Sequence, residues 1–169
     1  MTRIGVLSDT HGFLDETIFD YFKDVDIIFH AGDIGSVTLT DKLKNFKPLK
    51  AVYGNIDGQE IRSEFPEHVI ETIEGCKILM THIAGSEGKY NHQVRALLEQ
   101  EQPQLLICGH SHIAKVVHDK KFNVLYINSG AAGIHGFHKM RTILRFEIEN
   151  GKPKNMELIE LGLRGKIQA

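Results

Sequence analysis

Apolar residues in this chain come in short unbroken runs, and each run stops at a polar cluster. Ile4-Gly5-Val6-Leu7, Ile27-Ile28-Phe29, Lys50-Ala51-Val52-Tyr53, Lys77-Ile78-Leu79-Met80 and Leu105-Leu106-Ile107-Cys108 have the length and the lack of alternation expected of strands buried on both faces. Between them the period becomes helical. Leu14 to Val25 places Ile18, Phe22 and Val25 on one face, with Asp15 and Glu16 in a first turn where the helix dipole favours negative charge. Val37 to Phe46 turns Leu39, Leu43 and Phe46 inward, and Lys89 to Gln102 turns Val94, Leu97 and Leu98 inward before Pro103 stops it. These stripes are core.

Beyond them, Asn128 to His138 is a Gly-rich loop, and Thr142 to Ile148 alternates as a strand with Leu144, Phe146 and Ile148 on one face. Asn150-Gly151 supplies a hairpin turn. On the returning strand Met156 and Leu158 alternate with Glu157, then Ile159, Glu160 and Leu161 shift the pattern, which means a bulge or burial on both sides. The pattern predicts an α/β protein with a pair of central sheets, the first mainly parallel, the second mixed with antiparallel hairpins, and helices outside. No repeat, low-complexity tract or linker divides residues 1–169, so a single domain is expected.

The polar clusters carry the chemistry. Asp9-Thr10-His11, Gly32-Asp33, Gly54-Asn55, His82 and Gly109-His110-Ser111-His112 each follow one of the five apolar runs. In open α/β sheets the loops at the C-terminal strand ends converge, so residues from 9 to 112 can share a pocket. The clusters offer seven oxygen or nitrogen ligands, Asp9, His11, Asp33, Asn55, His82, His110 and His112. A catalytic ion takes about three protein ligands and keeps a position open, so seven suggest two divalent ions and chemistry on a phosphate.

Asp and Asn also cap helices and turns, and a histidine at a strand end is often a bonded core residue. Taken singly, those explanations would win. Independent caps have no reason to recur with ligand chemistry after five strands, however. His110 and His112, two residues apart, point to the same side if extended, and Gly109 lets the backbone approach an ion.

The ordered set Asp9-x-His11, Gly32-Asp33, Gly54-Asn55, His82 and Gly109-His110-x-His112 resembles the calcineurin-like metallophosphoesterase family. Its length and closing strands are similar to the small single-domain phosphodiesterase branch, which also contains a retromer scaffold subunit. The resemblance implies a four-layer α/β/β/α sandwich with two mixed sheets and flanking helices. It assigns Asp9, His11 and His112 to one ion and Asn55, His82 and His110 to the other, with Asp33 bridging. It also puts Asp33, Asn55 and His82 at the catalytic centre of a phosphodiesterase in which a metal-bridging hydroxide attacks phosphorus. Imidazole and hard oxygen without thiolate suit manganese, nickel, zinc, iron or cobalt, and manganese is the working expectation.

One departure bears on mechanism. Many relatives carry a His after the Asn, where it helps the leaving group depart, whereas this chain reads Gly54-Asn55-Ile56-Asp57. Other side chains are candidate substrate contacts: Asn128, His135 and His138 in the Gly-rich loop, where the family commonly reads Asn-Pro-Gly-Ser, and His92 at a helix start. His30 is expected to orient a ligand from behind. His68 and His118 belong to no cluster, and Arg164 and Lys166 read as a frayed end.

Composition narrows the function. A chain of 169 residues buries about 70% of its unfolded surface without staples. A net charge of −2 gives no basic stripe for DNA or RNA, which favours a small phosphate-ester substrate over a nucleic acid. Cys76 and Cys108 lie at or in apolar strands, and a strand begins at once after Met1-Thr2-Arg3, so reduced thiols, no signal peptide, no membrane span and a cytoplasmic setting are expected. A homo-oligomer is compatible with the sequence. Alternatives of another class are a non-catalytic protein-binding scaffold of the same fold and a metal-dependent nuclease.

Overall fold

Ile4, Val6 and Phe29 face Ile78, Met80 and Ile107 across the centre of the molecule, all fully buried, in a core joined by Leu144, Phe146 and Ile148. The computed structural model describes residues 1–165. The elements run β1 (Thr2–Leu7), α1 (Thr17–Tyr21), β2 (Ile27–His30), α2 (Val37–Phe46), β3 (Leu49–Ala51), α3 (Gln59–Glu64), β4 (His68–Ile73) and β5 (Cys76–Thr81). They continue as β6 (Gly85–Ser86), β7 (Lys89–Tyr90), α4 (His92–Glu101), β8 (Leu105–Cys108), β9 (Lys115–Asp119), β10 (Val124–Asn128), β11 (Met140–Glu149) and β12 (Lys152–Leu163).

Two five-stranded sheets, ordered β12-β11-β1-β2-β3 and β4-β5-β8-β10-β9, enclose that core. On the outer face of the first, Ile18, Phe22, Leu39, Leu43 and Ile61 from the α1, α2 and α3 segments pack on Leu7, Ile28 and Ile143. On the outer face of the second, Val94 and Leu98 of α4 pack on Leu79, Leu106 and Tyr126. The result is the expected four-layer α/β/β/α sandwich with two mixed sheets. Each fully buried aliphatic side chain contributes roughly 1.5–3 kcal/mol.

The division of strands differs from expectation. The closing hairpin joins the first sheet, with β11 antiparallel to β1, so that sheet is as mixed as the second. The five ligand-bearing strands are not consecutive either. β4 intervenes and pairs antiparallel with β5, carrying the chain from one sheet to the other. Within each sheet these strands are parallel: β1, β2 and β3 in the first, β5 and β8 in the second.

Two helices are shorter than their apolar spacing predicts. The Asp15 carboxylate accepts from the Thr17 backbone at 2.9 Å and hydroxyl at 2.7 Å, so α1 starts after it. α1 closes by Phe22, yet Ile18, Phe22 and Val25 are all buried because the following turn keeps the spacing. α4 begins at His92, because Asn91 caps it by accepting from Val94 N at 2.9 Å and Lys89–Tyr90 pair with Gly85–Ser86 instead.

The irregular last strand contains bulges. Register shifts fall between Arg145 and Glu147 and between Arg141 and Thr142, and Asn155 takes a φ of +54°. They turn Met156 toward the inter-sheet core and Ile159 toward the helical layer. Arg164 is no frayed end, since its Nε donates to His138 O at 2.8 Å and its backbone N to Lys139 O at 2.9 Å. Lys166 lies outside the described residues. Among the described residues no helix is long and apolar enough to cross a membrane. Cys76 and Cys108 are free and buried, and burial pushes the Cys108 thiol up to about 12.

Candidate metal centre

The loops after β1 and β2 are laced together: Asp9 N donates to Gly32 O at 2.9 Å, His11 N to Asp33 O at 3.0 Å and Gly12 N to Ile34 O at 2.8 Å. To make these bonds Asp9, His11 and Asp33 adopt left-handed φ values of +53°, +46° and +55°. Such backbone strain in non-glycine residues persists only where surrounding structure enforces it, and it clusters at functional sites. Behind the loops, buried His30 accepts from Gly32 N at Nδ1 and reaches Thr10 Oγ1 at 3.0 Å with Nε2, while the Thr10 hydroxyl donates to Ile34 O. Burial lowers the His30 pKa to about 4. His30 therefore fastens two loops and does not bond a ligand side chain, contrary to expectation.

Asp9 is fully buried. Its Oδ2 accepts from the Ser8 hydroxyl at 2.5 Å and from His110 N at 3.1 Å, whereas Oδ1 has no hydrogen-bond partner. Facing that oxygen are His112 Nε2 at 3.2 Å, His82 Nε2 at 3.8 Å and His11 Nε2 at 4.0 Å. Asp33 accepts from Ile56 N at 3.1 Å through Oδ1 and turns Oδ2 to His82 Nε2 at 3.2 Å and His11 Nε2 at 3.4 Å. Burial opposes its ionisation, but the two imidazoles outweigh that and hold its carboxyl far below the usual range.

His82 tests whether this pocket fits a cation. Its Nδ1 lies 2.8 Å from Ala31 O, an acceptor, so in neutral His82 the proton sits there and Nε2 presents a lone pair. That lone pair meets Asn55 Oδ1 at 3.1 Å as well as the carboxylate oxygens of Asp33 and Asp9. Acceptors converging on acceptors call for positive charge between them. Burial works against charging His82, yet the hydrogen bond to Asp33 and the charges of Asp9 and Asp33 raise its pKa, the same demand expressed through a proton. His11 Nε2 is likewise buried without a partner. The donor set fits divalent ions.

Two groups of ligand atoms emerge, each spanning no more than 4.8 Å: Asp9, His11, Asp33 and His112 in one, Asp33, His82 and His110 in the other. Asp33 belongs to both, and Asn55 adjoins the second through His82. All seven expected ligands are thus brought together from the ends of β1, β2, β3, β5 and β8. His110 and His112 are not extended, however. With φ values of +72° and +64° they turn to different groups, His110 edge-on to His82 and His112 edge-on to His11. A Cβ at Gly109 would lie 2.1 Å from Ser8 Oγ and 2.8 Å from Asp9 Oδ2, so the backbone there packs closely against the loop after β1.

The candidate substrate contacts separate. The exposed His135 ring lies 4.7 Å from that of His11, at the rim of the centre. His138 is buried, with Nε2 against Gly133 O at 2.8 Å and its ring 5.2 Å from His112, so it backs a ligand. Asn128 is fully buried and committed: Nδ2 donates to Gly109 O and Ser111 Oγ, and Oδ1 accepts from Gly130 N. It fixes the loop carrying His110 and His112 and has no group left for substrate. His92 is exposed in the first turn of α4 and does not line the neighbouring cleft, which Asn91 and Gln93 reach instead.

Three contributors escaped sequence reasoning. Asp57 accepts from Gly54 N at 2.8 Å, Ile34 N at 3.0 Å and Gly35 N at 2.9 Å, tying the loops after β2 and β3. Its position three residues after Gly54 was the available signal. His68 and Arg62 line a cleft of roughly 330 Å³ beside Asn55 and His82. His68 gave no signal, because its place depends on β4 pairing with β5, opposite Thr81.

A model of the calcineurin-like phosphoesterase superfamily domain matches residues 2–151. A protein of Methanothermobacter thermautotrophicus, named a probable metallophosphoesterase, is 33% identical over 114 residues, or 64% of this chain and 66% of that one, just under two thirds of its length. Among solved structures, an archaeal phosphodiesterase superposes with a TM-score of 0.74 at 24% identity, covering 94% of this chain and 99% of its own. Vps29 of Entamoeba histolytica complexed with Zn²⁺ does so with a TM-score of 0.70 at 16% identity, covering 94% and 98%. These two likenesses are likenesses of fold.

Proposed function

Because the chain belongs to the calcineurin-like phosphoesterase superfamily, we propose that it is a metal-dependent phosphodiesterase with a two-ion centre. Asp9, His11 and His112 would hold one ion and Asn55, His82 and His110 the other, with Asp33 shared by both. The observation that carries this reading is the pair of ligand groups sharing Asp33, with Asp9 Oδ1 and His11 Nε2 buried and unpartnered within one of them. Manganese is the proposed metal, in keeping with imidazole and hard oxygen donors and no thiolate.

The chain's own residues prepare the site. The Ser8 hydroxyl and His110 N–H hold one oxygen of Asp9, leaving the other free. Ile56 N–H does the same for Asp33, and Ala31 O fixes the His82 tautomer that presents Nε2. Such outer bonds orient ligands and raise their basicity. Bound divalent ions supply fixed positive charge for the phosphoryl oxygens and lower the pKa of water, which removes the need for a covalent protein nucleophile. His135, whose exposed ring lies tilted 4.7 Å from that of His11, is the proposed contact for a phosphoryl oxygen.

The substrate is a small phosphate ester, and the net charge of −2 speaks against a nucleic-acid strand. Two buried thiols favour a cytoplasmic setting. A second reading, a non-catalytic protein-binding scaffold, draws support from the likeness to Vps29. Seven residues of competent ligand type argue against it, because a pure scaffold gains nothing from assembling so many polar groups in one pocket. Hydrolysis of bis(p-nitrophenyl) phosphate by chelator-treated protein, before and after adding manganese, nickel or zinc, separates the two. Activity that returns with metal supports the phosphodiesterase; none with any of the three favours the scaffold.

A further inference from the structure

Beside the second ligand group the surface falls into the cleft lined by Tyr53, Asn55, Arg62, His68, His82 and Ile83. It is continuous with the candidate centre, because Asn55 and His82 belong to both. Tyr53 and Ile83 give it an apolar wall, and polar side chains, Glu67 and Gln93 among them, line the rest. The Arg62 guanidinium lies over the Tyr53 ring at 4.4 Å, and Ile83 is 40% exposed although it follows a buried ligand.

The polar groups of the cleft are mostly spent within the protein. Arg62 donates from Nε to Asp57 O at 2.6 Å and from Nη2 to Gly54 O at 3.5 Å. Asn91, at the cleft edge, donates to Ile83 O and caps α4 through Oδ1. His68 Nδ1 pairs with Thr81 Oγ1 at 2.9 Å. Glu67 and Gln93 add polar side chains to the lining, and His68 Nε2 is buried without a hydrogen-bond partner, 3.9 Å from Glu67 Oε1. The Tyr53–Arg62 stack and the exposed Ile83 form a wall that suits an aromatic group better than a methyl group, which would cover less of it, and the polar lining around them suits a polar substituent on the ring.

We infer that this cleft seats an aromatic ester arm of the substrate while the phosphoryl group lies at the candidate metal centre, with Ile83 and the Tyr53–Arg62 stack covering the ring and the partly exposed His68 side chain at its edge. The inference rests on the phosphodiesterase reading and specifies its substrate class. His68 and Ile83 are then specificity determinants acting on the arm and not on the reacting phosphorus.

Phenylphosphonate and methylphosphonate, which carry one uncleavable arm each, test this by calorimetric titration of the manganese-loaded protein and by inhibition of bis(p-nitrophenyl) phosphate hydrolysis. Wild type should bind phenylphosphonate at least about tenfold more tightly, the scale of burying one ring. In His68→Ala and Ile83→Ser, with folding checked by thermal unfolding, that ratio should fall toward one. Equal binding of the two phosphonates by an active wild type, or an undiminished ratio in both variants, overturns the cleft assignment and leaves the phosphodiesterase reading standing. Absence of metal-dependent hydrolysis together with absence of phosphonate binding overturns both.

Discussion

A Cβ built on Gly54 would fall 2.1 Å from Asp33 Oδ1 and 2.3 Å from Asp33 N, so the loop after β3 presses directly on the carboxylate common to both ligand groups. No rearrangement of a flexible side-chain end relieves such a contact, because backbone is part of it. Gly54→Ala should cost about 1–3 kcal/mol in urea unfolding and weaken manganese binding about 10- to 100-fold by calorimetry. Unaltered metal affinity would mean that Asp33 is not a ligand.

Asp33→Ala and Asn55→Ala should differ in kind. Loss of Asp33 removes an oxygen from both groups, so manganese stoichiometry should drop and hydrolysis should fall about 10²-fold or more. Loss of Asn55 should leave one tight site and one weakened site. Two undiminished sites in Asp33→Ala would refute the shared carboxylate.

Ile56 follows Asn55 and is 46% exposed, with an aliphatic chain where many relatives carry a histidine. General acid help to a leaving group typically contributes about 10²- to 10⁴-fold. Wild type should therefore turn over alkyl phosphodiesters far more slowly than nitrophenyl ones, and Ile56→His should raise the alkyl rate selectively. Equal wild-type rates for the two classes would end this explanation.

His30 should make the protein acid-sensitive. Its pKa falls from 6.5 to about 4 on folding because burial disfavours the charged ring. Between those values the unfolded chain binds a proton that the native chain does not, so stability is full above pH 6.5, declines as pH falls toward 4, and levels off below. The loss is on the order of 3 kcal/mol. Urea midpoints at pH 7 and pH 4.5 should differ less in His30→Gln than in wild type, and identical differences would show that His30 does not titrate this way.

Much of the fold was legible because its signals are local. Five buried strands, the helix over Val37–Phe46 and the Asn150-Gly151 hairpin were readable from short windows. What short windows do not carry is non-local. The apolar period of Ile18, Phe22 and Val25 continues through a turn, because the face of the first sheet requires buried residues there whether or not the helix persists. The closing hairpin joined the first sheet because Ile4 pairs with Phe146 across nearly the whole chain, a choice no short window encodes.

The sequence by itself determined the candidate ligand chemistry: carboxylate, amide and imidazole groups at the C-terminal ends of parallel strands, a property of residue type and strand boundary. Only the tertiary structure decided how those groups divide. His110 and His112 serve different groups because left-handed turns after β8 aim them apart. Asn128 became a fastening because its amide lies against Gly109 and Ser111, while unremarked His68 gained a cleft because β4 lies beside β5. Residue type fixes which atoms can bind; the packing of two sheets fixes which of them meet, because those distances run between loops far apart in the chain.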